Sequence, residues 1–284
     1  MHEFNIDTPL GRIAGLRNGS SGPRVLALHG WLDNAASFIP LAAHLHGIDL
    51  VAIDQPGHGH SAHLPPGADY AFAGAINTIL DVADALGWDR FALLGHSMGA
   101  GIGSMIAAAC PQRIERLVAI EGLGALAETP ERTVLRMREA VAAQRALAGK
   151  SLRVFPDIDT AVRARMHAGR VPGSGLSESL MRLLVERGLA PVDGGYAWSS
   201  DPRLTLPTLI RTTEPQVEAL VAGIECPSLV LFADPAQPYL PDDLRRRRAG
   251  LLAQGELVIL PGHHHLHMDQ PAVVAAAIRD FLAP

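Results

Sequence analysis

Five residues, Gly95-His96-Ser97-Met98-Gly99, form a G-x-S-x-G motif between two apolar runs. The run before the motif, Phe91–Leu94, is short and mostly aliphatic, which predicts a buried strand. The run after it, 100–109, consists mainly of small residues, which predicts a closely packed helix. A serine between a strand and a helix lies on a sharp turn with its hydroxyl exposed, an arrangement called a nucleophile elbow. The alternative is a glycine-rich turn with a purely structural role, because a short motif depends on its context.

Short apolar segments alternate with helical patterns along most of the chain. The predicted strands are Val25–Leu28, Leu50–Ile53, Phe91–Leu94, Leu117–Ile120, Leu229–Phe232 and Leu257–Leu260. The predicted helices of this part include Pro40–His46, Ala75–Leu86, Met98–Cys110 and Pro271–Leu282. Continuous apolar runs are typical of parallel strands that are buried on both faces. The alternation therefore predicts an α/β fold whose parallel sheet is built from βαβ crossovers.

The alternation stops between residues 122 and 223. That stretch has no convincing core strand, and Pro and Gly residues mark its joints. Its segments with a helical pattern are Glu131–Leu147, Ile158–Ala168, Ser177–Arg187 and Glu214–Ala222. We therefore predict one core domain, formed by residues 1–121 and 224–284, and a helical insertion at 122–223 that is not a separate enzyme domain.

The composition limits the classes of function that are open to this chain. Of 284 residues, 48% are hydrophobic, which is enough for a large core, and the formal net charge is -5. A negative charge argues against a nucleic-acid-binding surface or a polybasic membrane anchor. The chain has no uninterrupted apolar run of about 18 residues, and its N-terminus lacks the pattern of a signal peptide. We therefore expect a cytoplasmic protein with a small-molecule substrate, no nucleic-acid partner and no membrane span; its oligomeric state is not indicated.

An arginine run and two cysteines have ordinary explanations. Arg245–Arg248 would point in different directions around a helix, so we expect solvent contacts or local ion pairs rather than a basic binding surface. Cys110 and Cys226 each precede a proline at the edge of an apolar segment. We expect both to be buried free thiols, as is usual in a reducing compartment.

Four segments, by their order and spacing, resemble the α/β-hydrolase fold superfamily from about Val25 onward. They are His-Gly-Trp at 29–31, Asp-Gln-Pro-Gly-His-Gly-His-Ser at 54–61, the elbow at 95–99 and the histidine-rich stretch 261–271. Within the superfamily, 198–204 and the histidine-rich loop are similar to the serine-hydrolase-like subgroup. The resemblance implies a mostly parallel central sheet flanked by helices. It also implies a helical cap inserted after strand six, here the strand that ends at Ile120.

A serine hydroxyl is a poor nucleophile at neutral pH and needs a base that takes its proton. The last loop offers four histidines: His263, His264, His265 and His267. In the family the catalytic histidine usually lies seven residues before the proline that opens the last helix. Counting back from Pro271 indicates His264. His263 and His265 remain alternatives, and His267 is expected to line or support the loop.

A group of histidines can also bind a metal ion. The loop contains no cysteine, and zinc sites usually take their ligands from separate elements. We therefore expect no metal site in this loop. The chemistry implied by a serine, a histidine and an acid needs no cofactor either.

The acid that would orient the base is ambiguous. The family usually places an aspartate a few residues after strand seven, where alignment on Pro227 puts Ala236. Asp234 lies two residues earlier than the usual position. Asp242 and Asp243 look like the first residues of a helix, where carboxylates interact favourably with the helix dipole. Strand seven therefore offers only Asp234 as a candidate.

An alternative known in the superfamily places the acid after strand six. There Glu121 directly follows the predicted strand. A carboxylate at the carboxyl end of a core strand points toward the crevice where open α/β sheets bind ligands. We predict Glu121 as the acid and keep Asp234 as the alternative. The alternative for Glu121 is a non-catalytic role, in which it forms a salt bridge at the hinge of the cap.

The resemblance also implies an oxyanion hole and a substrate pocket. One backbone N–H belongs to Met98, directly after the serine, and the other to Trp31, in the loop after the first parallel strand. Trp31 and Trp198 are candidates for the pocket, and packing within the cap is the alternative for Trp198. Structural roles are expected for His29, Asp54, His58–Ser61 and, as a cap anchor, Arg203.

Serine at the elbow separates this chain from relatives that resemble haloalkane dehalogenases and epoxide hydrolases, which use aspartate there. A triad of Ser97, His264 and Glu121 implies acyl transfer through an acyl-enzyme. The apolar residues of the predicted cap favour a carboxylic ester or thioester of an apolar acyl group. Two alternatives remain. One is a C–C bond hydrolase or haloperoxidase-like enzyme on the same triad, and the other is a ligand-binding protein without catalysis.

Overall fold

The computed structural model describes residues 1–147, 153–168 and 175–283. In these ranges, eight strands form one sheet and two form a separate hairpin. The strands are β1 His2–Thr8, β2 Gly11–Arg17, β3 Arg24–Leu28, β4 Asp49–Ile53, β5 Phe91–His96, β6 Ile114–Ile120, β7 Leu189–Val192, β8 Gly195–Trp198, β9 Ser228–Asp234 and β10 Gly255–Pro261. The sheet order is β1-β2-β4-β3-β5-β6-β9-β10. The six strands from β4 to β10 in this order are parallel, which confirms the predicted fold class.

Helices cover both faces of the sheet. They are α1 Ile39–Ala42, α2 Ala75–Ala85, α3 Met98–Ala109, α4 Thr133–Leu147, α5 Ile158–Ala168, α6 Glu178–Arg187, α7 Glu214–Ala222, α8 Asp242–Ala249, α9 Leu266–Asp269 and α10 Pro271–Leu282. Helices α2, α3 and α7 pack on one face, and α1 and α10 pack on the other. Successive strand residues face opposite layers, as Leu93 and Leu94 do, so the central strands are apolar throughout. No helix of the described ranges is both long and apolar enough to cross a membrane.

The hairpin formed by β1 and β2 is not predicted by the sequence analysis. It pairs His2 with Arg17 and Thr8 with Gly11, and β2 then joins β4 in an antiparallel manner. The residues of β1 alternate between exposed and half-buried. A strand at the edge of the sheet therefore lacks the continuous apolar run that marks the central strands.

The insertion, residues 122–223, is not entirely helical, which corrects the prediction. It contains α4 to α7 and also the antiparallel hairpin of β7 and β8. The hairpin, α5 and α6 share a small apolar cluster to which Met268 of the core contributes. Helix α7 instead packs Val217 and Val221 into the cluster of the main sheet. The domain boundary at residue 223 stays a prediction.

The arginine run lies on α8 and is only partly solvated. Asp242, in the first turn of α8, accepts from Arg245 Nε at 2.8 Å and from Arg246 Nε at 2.7 Å. Arg245 and Arg248 are buried, whereas Arg246 is exposed. The expected local ion pairs are present, but two of the four side chains belong to the protein interior.

Both cysteines are free thiols, but they differ in exposure. Cys226 is buried, as predicted, while Cys110 is only half-buried. Burial raises the pKa of the Cys226 thiol. This sulfur is therefore a poor nucleophile, in keeping with a structural role.

A buried ion pair connects the insertion to the core. Arg187, the last residue of α6, donates from Nε to Asp54 Oδ1 at 2.9 Å, and its Nη1 contacts Glu3 of β1. Asp54 directly follows β4 and is fully buried, and it also accepts from the N–H groups of Ala35 and His60. Because Arg187 is itself buried, the pair is shielded from solvent.

We expect Arg187→Met to lower the free energy of unfolding by about 3–5 kcal/mol, because it leaves a buried carboxylate without its counter-charge. The matched control is Arg182→Met on the same helix. Arg182 pairs with Asp159 at 2.6 Å on the surface, so its loss should cost at most about 1 kcal/mol. Urea unfolding measures both values, and equal losses in the two variants would contradict the assignment.

Candidate active site

The carboxyl ends of neighbouring strands bring the predicted catalytic residues together. Ser97 follows β5, Glu121 follows β6, and His264 lies in the loop after β10. This edge is where open α/β sheets bind ligands. His264 Nε2 lies 3.0 Å from Ser97 Oγ, and His264 Nδ1 lies 3.0 Å from Glu121 Oε2. The three side chains form one continuous hydrogen-bonded set.

The partners of His264 define its tautomer. A carboxylate only accepts, so Nδ1 carries the proton and donates it to Glu121. Nε2 is then free to accept from the Ser97 hydroxyl, which is the state required of a general base. Tyr239 Oη lies 3.3 Å from the same Nδ1. Burial, with the nearby Glu121, raises the pKa of Tyr239 to about 12, so this phenol stays neutral.

The backbone packs closely around Gly95 and Gly99, and this packing fixes the turn that carries Ser97. Ser97 has φ 52 and ψ -111, in a region that L residues rarely adopt. A Cβ on Gly95 would lie 2.5 Å from the backbone nitrogen of Ala100, and a Cβ on Gly99 would collide with the carbonyl oxygen of Leu28. The two glycines of the motif therefore let α3 begin directly against the loop that follows β3.

Glu121 is the carboxylate that contacts the base. It is buried, and its Oε1 accepts from the N–H of Ala233 at 2.5 Å while Oε2 faces His264. The N–H of Glu121 donates to the carbonyl of Leu231 on β9. Asp234, at the end of β9, is exposed and its side chain forms no hydrogen bond with any described residue. Of the two candidates, the structure brings only Glu121 to the histidine.

Three non-glycine residues of the described ranges have a positive φ: Leu32 at 58, Ser97 at 52 and Glu121 at 56. They follow β3, β5 and β6 and so lie at the same edge of the sheet. Such conformations cost about 1–3 kcal/mol each and are held only where the surrounding structure fixes them. They cluster at functional sites, so the site is preorganised by its backbone.

The other histidines of the last loop have separate contacts. His263 is exposed. His265 Nε2 lies 3.0 Å from Asp33 Oδ2, and the buried His267 places Nε2 2.7 Å from Ser37 Oγ. Burial lowers the pKa of His267 well below its usual value, so the ring is neutral. These contacts leave one histidine of the loop beside the elbow.

Asp33 is a site residue that the sequence analysis missed. It is buried and accepts from Arg165 Nη2 of α5 at 2.9 Å through Oδ1, while Oδ2 faces His265. Burial alone would raise the pKa of Asp33, but His265 and Arg165 hold it well below the usual range. Its partners are 132 and 232 residues away in the sequence, so no local pattern marks this aspartate.

His96 is the second residue that was missed, although it occupies a variable position of the elbow motif. Its ring is buried, and its Nε2 lies 2.8 Å from the carbonyl oxygen of His264. The carbonyl accepts, so Nε2 carries the proton and donates. Burial, followed by the neighbouring histidines, lowers the pKa of His96 well below its usual value. The motif itself signals only the serine and the glycines.

The predicted oxyanion and pocket residues lie around the elbow. Met98 is the first residue of α3, so its N–H has no acceptor within the helix. The Trp31 ring is 55% exposed, and its Nε1 donates to the carbonyl of Leu204 in the insertion at 2.8 Å. Trp198 packs edge-on against Phe155, with 5.3 Å between ring centroids. The contacts of Trp198 are those of packing within the insertion, and its pocket role stays a prediction.

The remaining motif residues build the turns beside the site. His29 donates from Nδ1 to the carbonyl of Gly30 at 2.8 Å and accepts at Nε2 from the N–H of Gln55 at 3.0 Å. Burial lowers the pKa of His29 to about 4, so the ring is neutral and stabilises these turns through its two hydrogen bonds. A Cβ on Gly59 would collide with the Asp54 carboxylate, which explains the glycine in that turn.

Arg203 connects the insertion to a loop of the core. Its guanidinium donates to Asp201 Oδ2 at 2.6 Å and to the carbonyl of Pro65 at 3.0 Å. It also lies over the Tyr70 ring, 5.3 Å from the centroid. These contacts are those expected of a residue that anchors the insertion.

The chain is similar in sequence and in structure to several known proteins. A family model described as alpha/beta hydrolase fold matches residues 23–179. A serine hydrolase-like protein of Danio rerio is 31% identical over 289 residues, which is 99% of this chain and 88% of that protein. The crystal structure of a hypothetical protein from Pseudomonas aeruginosa PAO1 gives a TM-score of 0.89 at 40% identity, over 99% of this chain and 98% of that one. A thioesterase domain from the curacin biosynthetic pathway gives a TM-score of 0.79 at 28% identity, over 98% of each chain.

The family match covers more than half of the chain and runs from β3 past β6. It therefore includes both the elbow and Glu121. The similarity to the serine hydrolase-like protein and to the Pseudomonas structure extends over nearly the whole chain. This protein belongs to the α/β-hydrolase fold family.

Proposed function

We propose that the protein is a serine hydrolase that cleaves a carboxylic ester or thioester of an apolar acyl group. The observation that carries the proposal is the hydrogen-bonded set of Ser97, His264 and Glu121, with 3.0 Å at each of its two contacts. These side chains match the nucleophile, base and orienting acid of a catalytic triad. The similarity to serine hydrolase-like proteins and to a thioesterase domain supports the reaction class.

The geometry supports a two-step acyl transfer. In the first step Ser97 Oγ attacks the carbonyl carbon of the substrate while His264 Nε2 takes the hydroxyl proton. The imidazolium then gives this proton to the leaving alcohol or thiol, and an acyl-enzyme remains. In the second step His264 takes a proton from water, and the water oxygen attacks the acyl carbon. The imidazolium then returns a proton to Ser97 Oγ, and the carboxylic acid is released. Glu121 holds the ring and stabilises its charged form.

The developing oxyanion needs donors that are already in place. We assign this role to the backbone N–H groups of Met98 and Trp31. Met98 directly follows the nucleophile and opens α3. The loop that holds Trp31 lies against the elbow, because Gly99 packs on the carbonyl of Leu28 at the end of β3. Both groups are therefore fixed by the same close packing that shapes the elbow.

The insertion acts as a cap and favours an apolar acyl group. Helix α4 exposes Val134, Met137 and Val141 on successive turns. It contacts the turn Pro202–Thr205, which accepts a hydrogen bond from the exposed ring of Trp31. We assign these exposed apolar side chains and the neighbouring turn to the surface that would bury an acyl chain from water.

The first test is Ser97→Ala with a panel of p-nitrophenyl esters and acyl thioesters of increasing chain length. Wild type should hydrolyse the panel with a preference for longer apolar acyl groups, and Ser97→Ala should lower kcat by at least about 10⁴-fold. The matched control is Ser179→Ala, because Ser179 is an exposed serine on α6. That variant should retain wild-type turnover.

A fluorophosphonate probe separates the competing functions. Mass spectrometry should find the label on Ser97 in wild type, since only an activated serine reacts. Labelling without turnover of any ester or thioester would favour a C–C bond hydrolase or haloperoxidase-like enzyme. Failure to label would favour a ligand-binding protein.

The second test assigns the acid. Glu121→Gln keeps the side-chain size but removes the charge that orients His264 and stabilises its imidazolium. We expect a loss of about 10⁴-fold in kcat with little change in KM. Asp234→Asn is the matched control and should keep near-wild-type turnover, because that side chain is exposed. A large loss in Asp234→Asn with full activity in Glu121→Gln would contradict the assignment.

A further inference from the structure

A second cluster of polar side chains lies directly behind the candidate triad. Asp33 comes from the loop after β3, His96 from the end of β5, and His265 from the loop after β10. One ligand atom from each lies within 4.8 Å of the others. His265 Nε2 is 3.0 Å and His96 Nδ1 is 4.0 Å from the same atom, Asp33 Oδ2. The donors therefore converge from three separate elements on one point.

The orientation of His96 leaves a lone pair without a partner. Its Nε2 must donate, because the atom 2.8 Å away is the carbonyl oxygen of His264. Nδ1 of the neutral ring is then an acceptor, and it has no hydrogen-bond partner in the described chain. The ring is 99% buried, and the nearest acidic oxygen, Asp33 Oδ2, is also an acceptor. Two buried acceptors that face each other are unfavourable unless a hydrogen-bond donor or a cation lies between them.

We propose that Asp33 Oδ2, His96 Nδ1 and His265 Nε2 bind one divalent transition-metal ion, with Zn²⁺ as the representative ion, and that this ion inhibits the enzyme. Two imidazole nitrogens and one carboxylate oxygen suit zinc and other late first-row metals. Zinc–ligand bonds of about 2.1 Å in a tetrahedral site separate the ligand atoms by about 3.4 Å. Two of the present separations, 3.0 and 4.0 Å, bracket that value, and all three ligand atoms lie within 4.8 Å of one another, so binding requires the side chains to move closer together. From the sequence, no metal site was expected within the histidine loop, which has no cysteine; two of the three ligands proposed here, Asp33 and His96, lie outside that loop.

Two of the three ligands have outer-shell contacts, whereas His265 Nδ1, which would carry the proton when Nε2 binds the ion, has no hydrogen-bond partner among the described residues. Metal-bound histidines usually donate their other ring N–H to a carbonyl or carboxylate, as His96 does to the carbonyl of His264. Asp33 is oriented by Arg165, which binds Oδ1 at 2.9 Å and leaves Oδ2 toward the cluster. His265 is 19% exposed, which gives the ion access from solvent.

The site is joined to the catalytic base at two points. His265 is the next residue after His264, and His96 donates to the carbonyl of His264. Bringing His96 Nδ1 and Asp33 Oδ2 from 4.0 Å to the ligand–ligand spacing of about 3.4 Å moves the His96 ring, and with it the hydrogen bond to the carbonyl of His264. Displacements of about 1 Å at a catalytic group can cost about 100-fold in rate. The ion therefore inhibits by moving the base and does not take part in the reaction.

The test is Zn²⁺ binding to the full chain, measured by isothermal titration calorimetry. Wild type should bind one ion, and His265→Gln should bind at least about 100-fold more weakly, since it removes a ligand outright. The matched control is the double variant His44→Gln/His46→Gln, which removes two exposed histidines and should bind as wild type does. Circular dichroism checks that each variant is folded, and Asp33→Asn provides a second ligand variant.

Wild-type affinity in both ligand variants would overturn the proposal, as would the absence of binding to wild type. Zn²⁺ binding that is lost in Glu121→Gln but kept in His265→Gln would place the ion on the triad, which also overturns it. Inhibition is read as the rate of fluorophosphonate labelling of Ser97 with and without Zn²⁺ in the same variant. We expect at least about 10-fold slower labelling in wild type and no change in His265→Gln. The heat of binding does not depend on hydrolysis, so failure of the metal site and failure of the proposed function are distinguishable.

Discussion

The backbone of Ser97 can keep its unusual conformation only because the chain is fixed on both sides of it. Its N–H donates to the carbonyl of Ile120 on β6 at 2.8 Å, and its carbonyl accepts from Gly101 of α3 at 3.1 Å. Gly99 packs against the end of β3 without room for a side chain. The residue after Ile120 is Glu121, so the hydrogen bond that holds the serine also places the acid. The rest of the site is assembled around this connection.

The position of Glu121 beside His264 follows from the order of the strands. β6 and β9 are neighbours in the sheet, and Ile120 pairs with Leu231. Carboxylates that follow either strand therefore begin close to the same point beside the base. The chain has an exposed Asp234 at the end of β9 and Ala236, two residues later, at the family's usual position for the acid. The longer glutamate after β6 reaches the same histidine, and Ala233 of β9 contributes a backbone N–H to it.

Ion pairs join the insertion to the core, and one of them leads to the loop that carries His264. Arg187 is buried against Asp54 beside β4, whereas Arg165 binds Asp33, which in turn contacts His265. The insertion therefore shares charged partners with the loop that carries the base. Buried pairs of this kind are costly to break, because each leaves an uncompensated charge. The insertion and the loop that carries His264 are therefore connected through Asp33 and His265.

Local patterns in the sequence determined the central strands, the flanking helices and the turn that carries Ser97, because apolar periodicity and the spacing of small residues act over short distances. The spacing to Pro271 indicated His264 by resemblance. The edge strand β1 was missed, because one of its faces is solvated and lacks an apolar run. Only the tertiary structure brought Glu121, and not Asp234, to His264, and only it brought Asp33 to His265 across 232 residues. The order of the strands in the sheet determines which side chains meet at its edge. No local segment of the chain specifies that order.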